Sequence, residues 1–440
     1  MKKYYILSLF TFFYFQAFAQ SSLLQSGPMV GYSDFLEVAL WVQTTQTAEV
    51  KIVYFEKGKP GSRFETDKVR TTSQKAFSTH LIANKVQPGK RYEYELYINN
   101  KKVDRPYPLE FQTQFLWQWR TDAPDFKFAT GSCVYINEPE VDRPGKPYGG
   151  EYEIFTSIAK QKPDFMLWLG DNVYLREVDW NSRTGVYHRY THTRSTPEIQ
   201  PLLGSTHNYA IWDDHDFGPD NSDRGFANKE LTLEAFKDFW ANPNYVLGNK
   251  GGITGTFQWN DVQFFLLDNR YFRTPDRNRL GDRTMLGQEQ FQWLIDALIY
   301  SRAAFKVIVI GGQVLNTAEL EENYTDYGAE REKLLNAISE AKISGVVFLD
   351  GDRHHTVLSK LDRPGRYPLY DITVSPLTSS SHEPKNEPNT VAVPNTLVAE
   401  RNFAIIEFKG PKTDRKMIIH IHDVKGNEKW KQEINANDLK

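Results

Sequence analysis

The sequence predicts an α/β protein: a layered sheet core with flanking helices, preceded by an all-β sandwich of the immunoglobulin or fibronectin type III kind. Three observations carry this. Between residues 37 and 98 apolar residues alternate with period two. After residue 124, short apolar runs alternate with segments of helical period. Four of those runs stop abruptly at acid, thiol or imidazole residues, and open α/β sheets bind ligands beyond the carboxyl ends of their strands.

In chain order, residues 1–19 read as an export signal. Lys2 and Lys3 give a basic start, residues 4–15 are almost wholly apolar, and Ala17-Phe18-Ala19 is an A-x-A cleavage pattern before Gln20. The segment is short for a membrane span, although an uncleaved anchor is the alternative. We therefore expect an exported protein, periplasmic or extracellular, starting near Gln20 and crossing no membrane thereafter.

Residues 20–118 form the expected sandwich. Its strands fall at 37–43, 48–55, 79–83 and 91–98, and in the last of these Tyr92, Tyr94, Leu96 and Ile98 share one face. No cluster of reactive residues lies there, so its expected role is to pack against or shade the second domain. A seam at 116–124 opens that domain, 119–440. Helical periods cover 151–160, 229–240, 286–300 and 329–342; in the third, Phe291, Leu294, Ile295 and Leu298 recur at the spacing of a sheet-facing stripe. Strands return at 403–408 and 416–423, as candidates for a sheet edge.

The four informative runs are 126–130 before Gly131-Ser132-Cys133, 165–169 before Gly170-Asp171-Asn172-Val173-Tyr174, 209–212 before Asp213-Asp214-His215-Asp216, and 346–349 before Asp350-Gly351-Asp352-Arg353-His354-His355. Cys133 is the only cysteine, so no internal disulfide exists. It is buried and inert, paired to another chain, or a metal ligand; its place beside Gly131 and Ser132 directly after a strand favours the ligand. Asp171 stands where a carboxylate can bridge two cations, and Tyr174 can reach one as a phenolate. A phenol with an ordinary value of about 10 ionises near neutrality only beside strong positive charge, which points to a trivalent ion such as iron(III). A thiolate also favours iron over hard divalent cations. Asp213, Asp214 and Asp216 offer oxygens to a second, harder cation, His354 is the best imidazole ligand, and Asp352 is close by in an extended segment.

Each cluster alone has a plainer reading. Asp171 is a reasonable helix N-cap, the Asp213–Asp216 run a solvated loop, and His355 a packed side chain. Gln313 and Asn316, after a strand at 305–310, fit a structural loop as well as a site, and Arg270 and Arg273 read as structural. His188, His192 and His207 receive no role. Their joint occurrence after four strands is what favours a metal centre.

Residues 126–380 resemble the PhoD-like alkaline phosphatases within the calcineurin-like metallophosphoesterases, through GSC at 131–133, LGDNVY at 169–174, WDDHD at 212–216, LDNRYFR at 267–273, LGQEQFQWL at 286–294 and GDRHH at 351–355. The resemblance implies an exported, metal-dependent phosphatase using Fe3+ and Ca2+. It makes Cys133, Asp171, Tyr174 and His354 the iron ligands, with Asp171 bridging to calcium held also by Asp214 and Asp352. His215 takes the place of the residue that stabilises the transition state or protonates the leaving group. Leu175-Arg176-Glu177 departs from the family's commonest pattern; Arg176 is expected either to grip phosphate or to pair with Glu177 or another neighbour. Two cations on one bridging water permit in-line attack on phosphorus without a side-chain nucleophile.

The implied partner is a phosphate monoester, with a phosphodiesterase on the same site as one rival. A non-catalytic secreted protein binding phosphate or glycan is the other, although no expected ligand position carries an inert residue. A net charge of −3 gives no electrostatic footprint for nucleic acid, and we expect a monomer.

Overall fold

The computed structural model describes residues 23–320, 322–385 and 387–440; the expected export signal lies outside them. None of the described helices is long and apolar enough to cross a membrane.

Two sheets face each other across the main core. The first has nine strands, in the order Glu428–Asn435, Lys416–Asp423, Asn402–Lys409, Phe126–Gly131, Phe165–Leu169, His207–Ile211, Leu24–Ser33, Val38–Thr44, Ser78–Ala83. Its three central strands, starting at Phe126, Phe165 and His207, run parallel. The second sheet has six: Gly255–Trp259, Val262–Leu266, Phe305–Val309, Val346–Asp350, Arg366–Thr373, Val357–Arg363. The strands from Val262, Phe305, Val346 and Arg366 are parallel neighbours.

Continuous runs such as FMLWL and VVFLD follow from this burial, because strands covered on both faces need apolar residues at every position. Their alternation then assigns the faces. Phe264, Val307, Val309, Val347 and Leu349 join the core between the sheets, whereas Phe265, Ile308, Ile310 and Phe348 pack under helices Gly287–Tyr300 and Gly328–Glu340. Aromatic rings knit the two sheets together. Tyr209 and Phe257 stack at 3.8 Å, and Phe128 and Phe165 meet Phe264 edge-on at 5.4 and 5.5 Å.

The expected helices occupy Glu153–Lys160, Lys229–Phe239, Gly287–Tyr300 and Gly328–Glu340. Helix Arg183–Arg194 was hidden by its polar composition, in which buried Arg189 and Arg194 replace an apolar stripe. The C-terminal strands lie one step in from where they were expected, because Glu428–Asn435 forms the outer edge.

Period two in the N-terminal region is matched by burial of Tyr92, Tyr94, Leu96 and Ile98. They pack with Val38, Leu40 and Val42 in a separate core. That core lies between the strands Val38–Thr44 and Ser78–Ala83 and a third sheet built on Glu49–Glu56 and Arg91–Ile98. Strands from both sides of the seam nevertheless share one sheet. Leu24–Ser33 pairs in parallel with His207–Ile211 through Val30 and His207, and the His207 ring is held by the Gly31 carbonyl (2.7 Å) and the Gln112 N–H (3.1 Å). Leu24–Ser33 escaped the period reading because its irregular pairing with Val38–Thr44 breaks the alternation.

Candidate active site

Parallel strands of both sheets end on the same side of the molecule. Those starting at Phe126, Phe165 and His207 lead into Cys133, Asp171 and Asp213–Asp214; those starting at Val262, Phe305 and Val346 lead into Asp268–Arg270, Gln313 and Asp352–His354. The reactive residues thus come from two facing sheets. The loops are tight. Gly170 has φ +97, and a Cβ there would lie 2.7 Å from the Asp213 Cβ, so only glycine lets these two strand ends approach. Cys133, Asp171, Asp352 and His354 all adopt left-handed backbone, with φ of 63, 51, 65 and 55. Non-glycine residues in that region are strained by about 1–3 kcal/mol each and concentrate where function over-determines the backbone.

The strained turns bring four groups together. The Cys133 Sγ lies 3.6 Å from Asp171 Oδ2, and the Tyr174 phenol oxygen 3.1 Å from His354 Nε2. Donor atoms of Cys133, Asp171 and His354 fall within 4.8 Å of one another, as do those of Asp171, Asp214 and His215, and those of Asp213, Asp214, Glu322 and Asp352. Asp171 and Asp214 therefore belong to more than one grouping. The His354 Nδ1 lies 2.6 Å from the Ser380 carbonyl; donation there leaves the Nε2 lone pair facing the cluster, the orientation an imidazole ligand needs.

Electrostatics make the same point. Burial, followed by the neighbouring carboxylates, pushes Asp171 and Asp352 well above the usual carboxylate range. Burial and Asp171 likewise raise Cys133 and Tyr174. Asp213 is pushed up to about 6, by burial first, while for Asp214 the nearby His215 and Arg270 outweigh burial and bring it down to about 2. Burial lowers His354 to about 4, keeping it neutral. The Asp213 Oδ2 and Asp214 Oδ1 are buried without a hydrogen-bond partner. The Arg270 guanidinium, 3.7 Å from Asp214 Oδ1, offsets their charge without a hydrogen bond; buried carboxylate oxygens without hydrogen bonds are costly, so a thiol–phenol–imidazole–carboxylate corner beside an all-oxygen corner fits two cations of different hardness.

His215 sits where the buried cluster meets a cleft. Its ring stacks on Tyr174 at 4.1 Å, its Nε2 is 3.5 Å from Asp220, and its backbone N–H donates to Asp171 Oδ1 at 3.2 Å. Arg176 meets the expectation of an ion pair with a neighbour, though its partner is Asp142 at 2.9 Å and not Glu177. It is only 5% exposed, and its guanidinium donates to Asp142, to the Ile136 carbonyl and to the Tyr174 carbonyl, and lies 3.9 Å from the centre of the Tyr135 ring. Glu177 pairs with Arg143 instead. These contacts make Arg176 a brace for the Tyr174 loop, since the donors that a phosphate would need are already engaged.

Asp216 is a brace as well, accepting from the backbone N–H groups of Asp171, Asn172 and Asp213. Arg270 is fully buried and bonds Asp213 and Glu322, consistent with a structural role. Gln313 donates to Thr373 and Asn316 to Gln313, and His355 is buried. Sequence reasoning missed Glu322, which enters from a loop with no strand or motif to flag it. It also missed Ser375, whose hydroxyl lies 3.1 Å from the Cys133 Sγ. Asp213, the first acid after its strand, carried a usable signal.

A family model described as PhoD-like phosphatase matches residues 128–410, and one described as a domain of unknown function (DUF7800) matches residues 21–115. Alkaline phosphatase D of Bacillus subtilis (strain 168) is 24% identical over 335 residues, covering 65% of this chain and 54% of that protein, so the match spans about half the relative's length. Among solved structures, one titled as the structure of PhoD superposes with a TM-score of 0.73 at 18% identity, covering 94% of this chain and 92% of the other. The purple acid phosphatase PPD1 from yellow lupin (Lupinus luteus) seeds superposes with 0.67 at 10% identity, covering 94% and 75%. With nearly two thirds of its length matched by one family model, the chain belongs to the PhoD-like phosphatase family.

Proposed function

We propose that the protein is an exported phosphoric ester hydrolase that prefers phosphate monoesters and works through Fe3+ and Ca2+. The observation that carries this reading is the buried cluster itself, in which a carboxylate grouping with oxygens that accept no hydrogen bond adjoins, through Asp171 and Asp214, a thiol, a phenol and an imidazole. Family membership supports the phosphatase chemistry. Cys133, Asp171, Tyr174 and His354 would hold the iron, and Asp171, Asp214 and Asp352 the calcium. Bound there, the pair would supply the Lewis acidity that acidifies a water and neutralises phosphoryl charge.

The chain's own groups do the rest. The Asp171 carboxylate, with one oxygen near the Cys133 Sγ and the other near the His215 backbone, spans both corners and fixes their spacing. His215, at the mouth of the cleft, is placed to give a proton or a hydrogen bond to the departing oxygen, a contribution of roughly 10²–10⁴ in rate. Stacking on Tyr174 and the nearby Asp220 hold its ring in that attitude. Arg176 and Asp216 keep the Tyr174 and Asp171 loops in place. The N-terminal region, residues 20–118, is read as an immunoglobulin- or fibronectin-like unit that stiffens residues 119–440 from the side.

A side-by-side assay of p-nitrophenyl phosphate and bis(p-nitrophenyl) phosphate tests the monoester preference. Faster release of p-nitrophenol from the monoester is the expected result. Preference for the diester would make the protein a phosphodiesterase on the same residues, and no turnover of either would favour a binding protein.

A further inference from the structure

A cleft of about 260 Å³ opens beside His215, lined by Pro144, Lys146, Pro147, Tyr148, Tyr174 and Trp180 among others. We propose that it selects phosphate esters whose alcohol part carries a planar heteroaromatic ring, the class it fits being nucleoside 5′-monophosphates. The inference rests on the phosphatase reading above. Tyr148 is 39% exposed, unusual for a ring this close to a buried cluster. It meets Tyr135 at 4.9 Å and 67° and Tyr174 at 6.1 Å and 62°, so neither ring is stacked flat on it. Its hydroxyl lies 3.3 Å from His354 Nδ1, which fixes the ring. Trp180 is anchored likewise, its indole N–H donating to the Leu175 carbonyl at 3.2 Å. Rigid aromatic faces presented to solvent bind planar rings at little ordering cost.

Charge and size narrow the class. Three cations line the cleft, Arg143, Lys146 and Arg176, against three acids, Glu177, Asp142 and Asp220, and two of the cations are already paired, Arg143 with Glu177 at 3.2 Å and Arg176 with Asp142 at 2.9 Å, so the cleft carries no net positive charge with which to favour a second phosphate. Its volume is below the roughly 300–1,000 Å³ of pockets for drug-sized ligands; one ring system with its sugar suits it better than a lipid tail or a polymer. The ester oxygen would then sit at His215 and the ring against Tyr148 and Trp180. Stacking of a base on an aromatic side chain is typically worth roughly 5–150-fold in binding.

The test compares kcat/KM of the metal-loaded enzyme for adenosine 5′-monophosphate and ribose 5-phosphate by release of inorganic phosphate. The two share the same primary alkoxide leaving group and differ in the base. We expect a ratio of about five or more in favour of the nucleotide. In Tyr148→Leu and Trp180→Leu the ratio should collapse toward one, while Tyr148→Phe, which keeps the ring, should retain it. A ratio near one in the wild type, or one unchanged in both leucine variants, overturns the inference and leaves the phosphatase reading standing. Failure to hydrolyse either ester overturns that reading and this inference with it.

Discussion

His215 and His354 both touch Tyr174, one through a ring stacked at 4.1 Å and the other through the phenol oxygen at 3.1 Å, yet the roles proposed for them differ with their surroundings. His354 is nearly buried, held neutral, with Nδ1 at the Ser380 carbonyl. His215 faces the cleft. His354→Ala should therefore lower metal content and activity together, by at least the roughly 10–100-fold seen when even outer partners of a metal ligand are removed. His215→Ala should keep its metals and lose roughly 10²–10⁴ in rate, with a smaller loss on p-nitrophenyl phosphate than on alkyl phosphates, because a stable anion needs no proton. Elemental analysis beside both assays separates the two, and unchanged activity in either variant would reduce that histidine to packing.

At the scale of elements, the site depends on strand ends being closer than ordinary side chains allow. Gly170→Ala introduces a Cβ 2.7 Å from that of Asp213 at a φ of +97, so a stability loss of about 2–5 kcal/mol is expected from strain and overpacking combined. Chemical denaturation would measure it, and a wild-type midpoint would contradict the account. The same scale explains what the sequence made legible. Cys133, Asp171, Asp214 and Asp352–His354 were visible because each comes after an apolar run buried on both faces, a pattern that announces both the strand and its end. Glu322 was not, since it is brought in by a loop whose path depends on the Gln313 and Asp371 contacts of a distant strand. Arg176 misled because an arginine beside an acid in sequence reads as a surface pair, whereas burial under Tyr135 and two carbonyls is a tertiary fact. Helix Arg183–Arg194 was hidden by buried arginines whose partners lie outside it, Asp179 and Glu138 for Arg189, and the Phe239 carbonyl and the Trp240 ring for Arg194.

For the whole molecule, the shared nine-stranded sheet couples the N-terminal region to the one carrying the site, and His207 is at the junction. Burial pushes its value down to about 4. The unfolded chain, with an ordinary value near 6.5, binds the proton first, so stability falls as pH drops from about 6.5 and this group adds nothing further below about 4. That displacement corresponds to roughly 3 kcal/mol. His207→Gln should flatten this part of the acid slope, read as the difference between the two proteins in denaturant melts at pH 7.5 and 5; parallel slopes would show that the histidine is not coupled to folding. The central claim, that a metal cluster built around Asp171 hydrolyses phosphate esters, is tested most directly by metal content and p-nitrophenyl phosphate turnover measured on the same preparations of wild type and Asp171→Asn. The wild type should carry iron and calcium and turn the ester over, and the variant should lose bound metal and activity together, whereas a folded Asp171→Asn protein with full metal content and full activity would contradict the account.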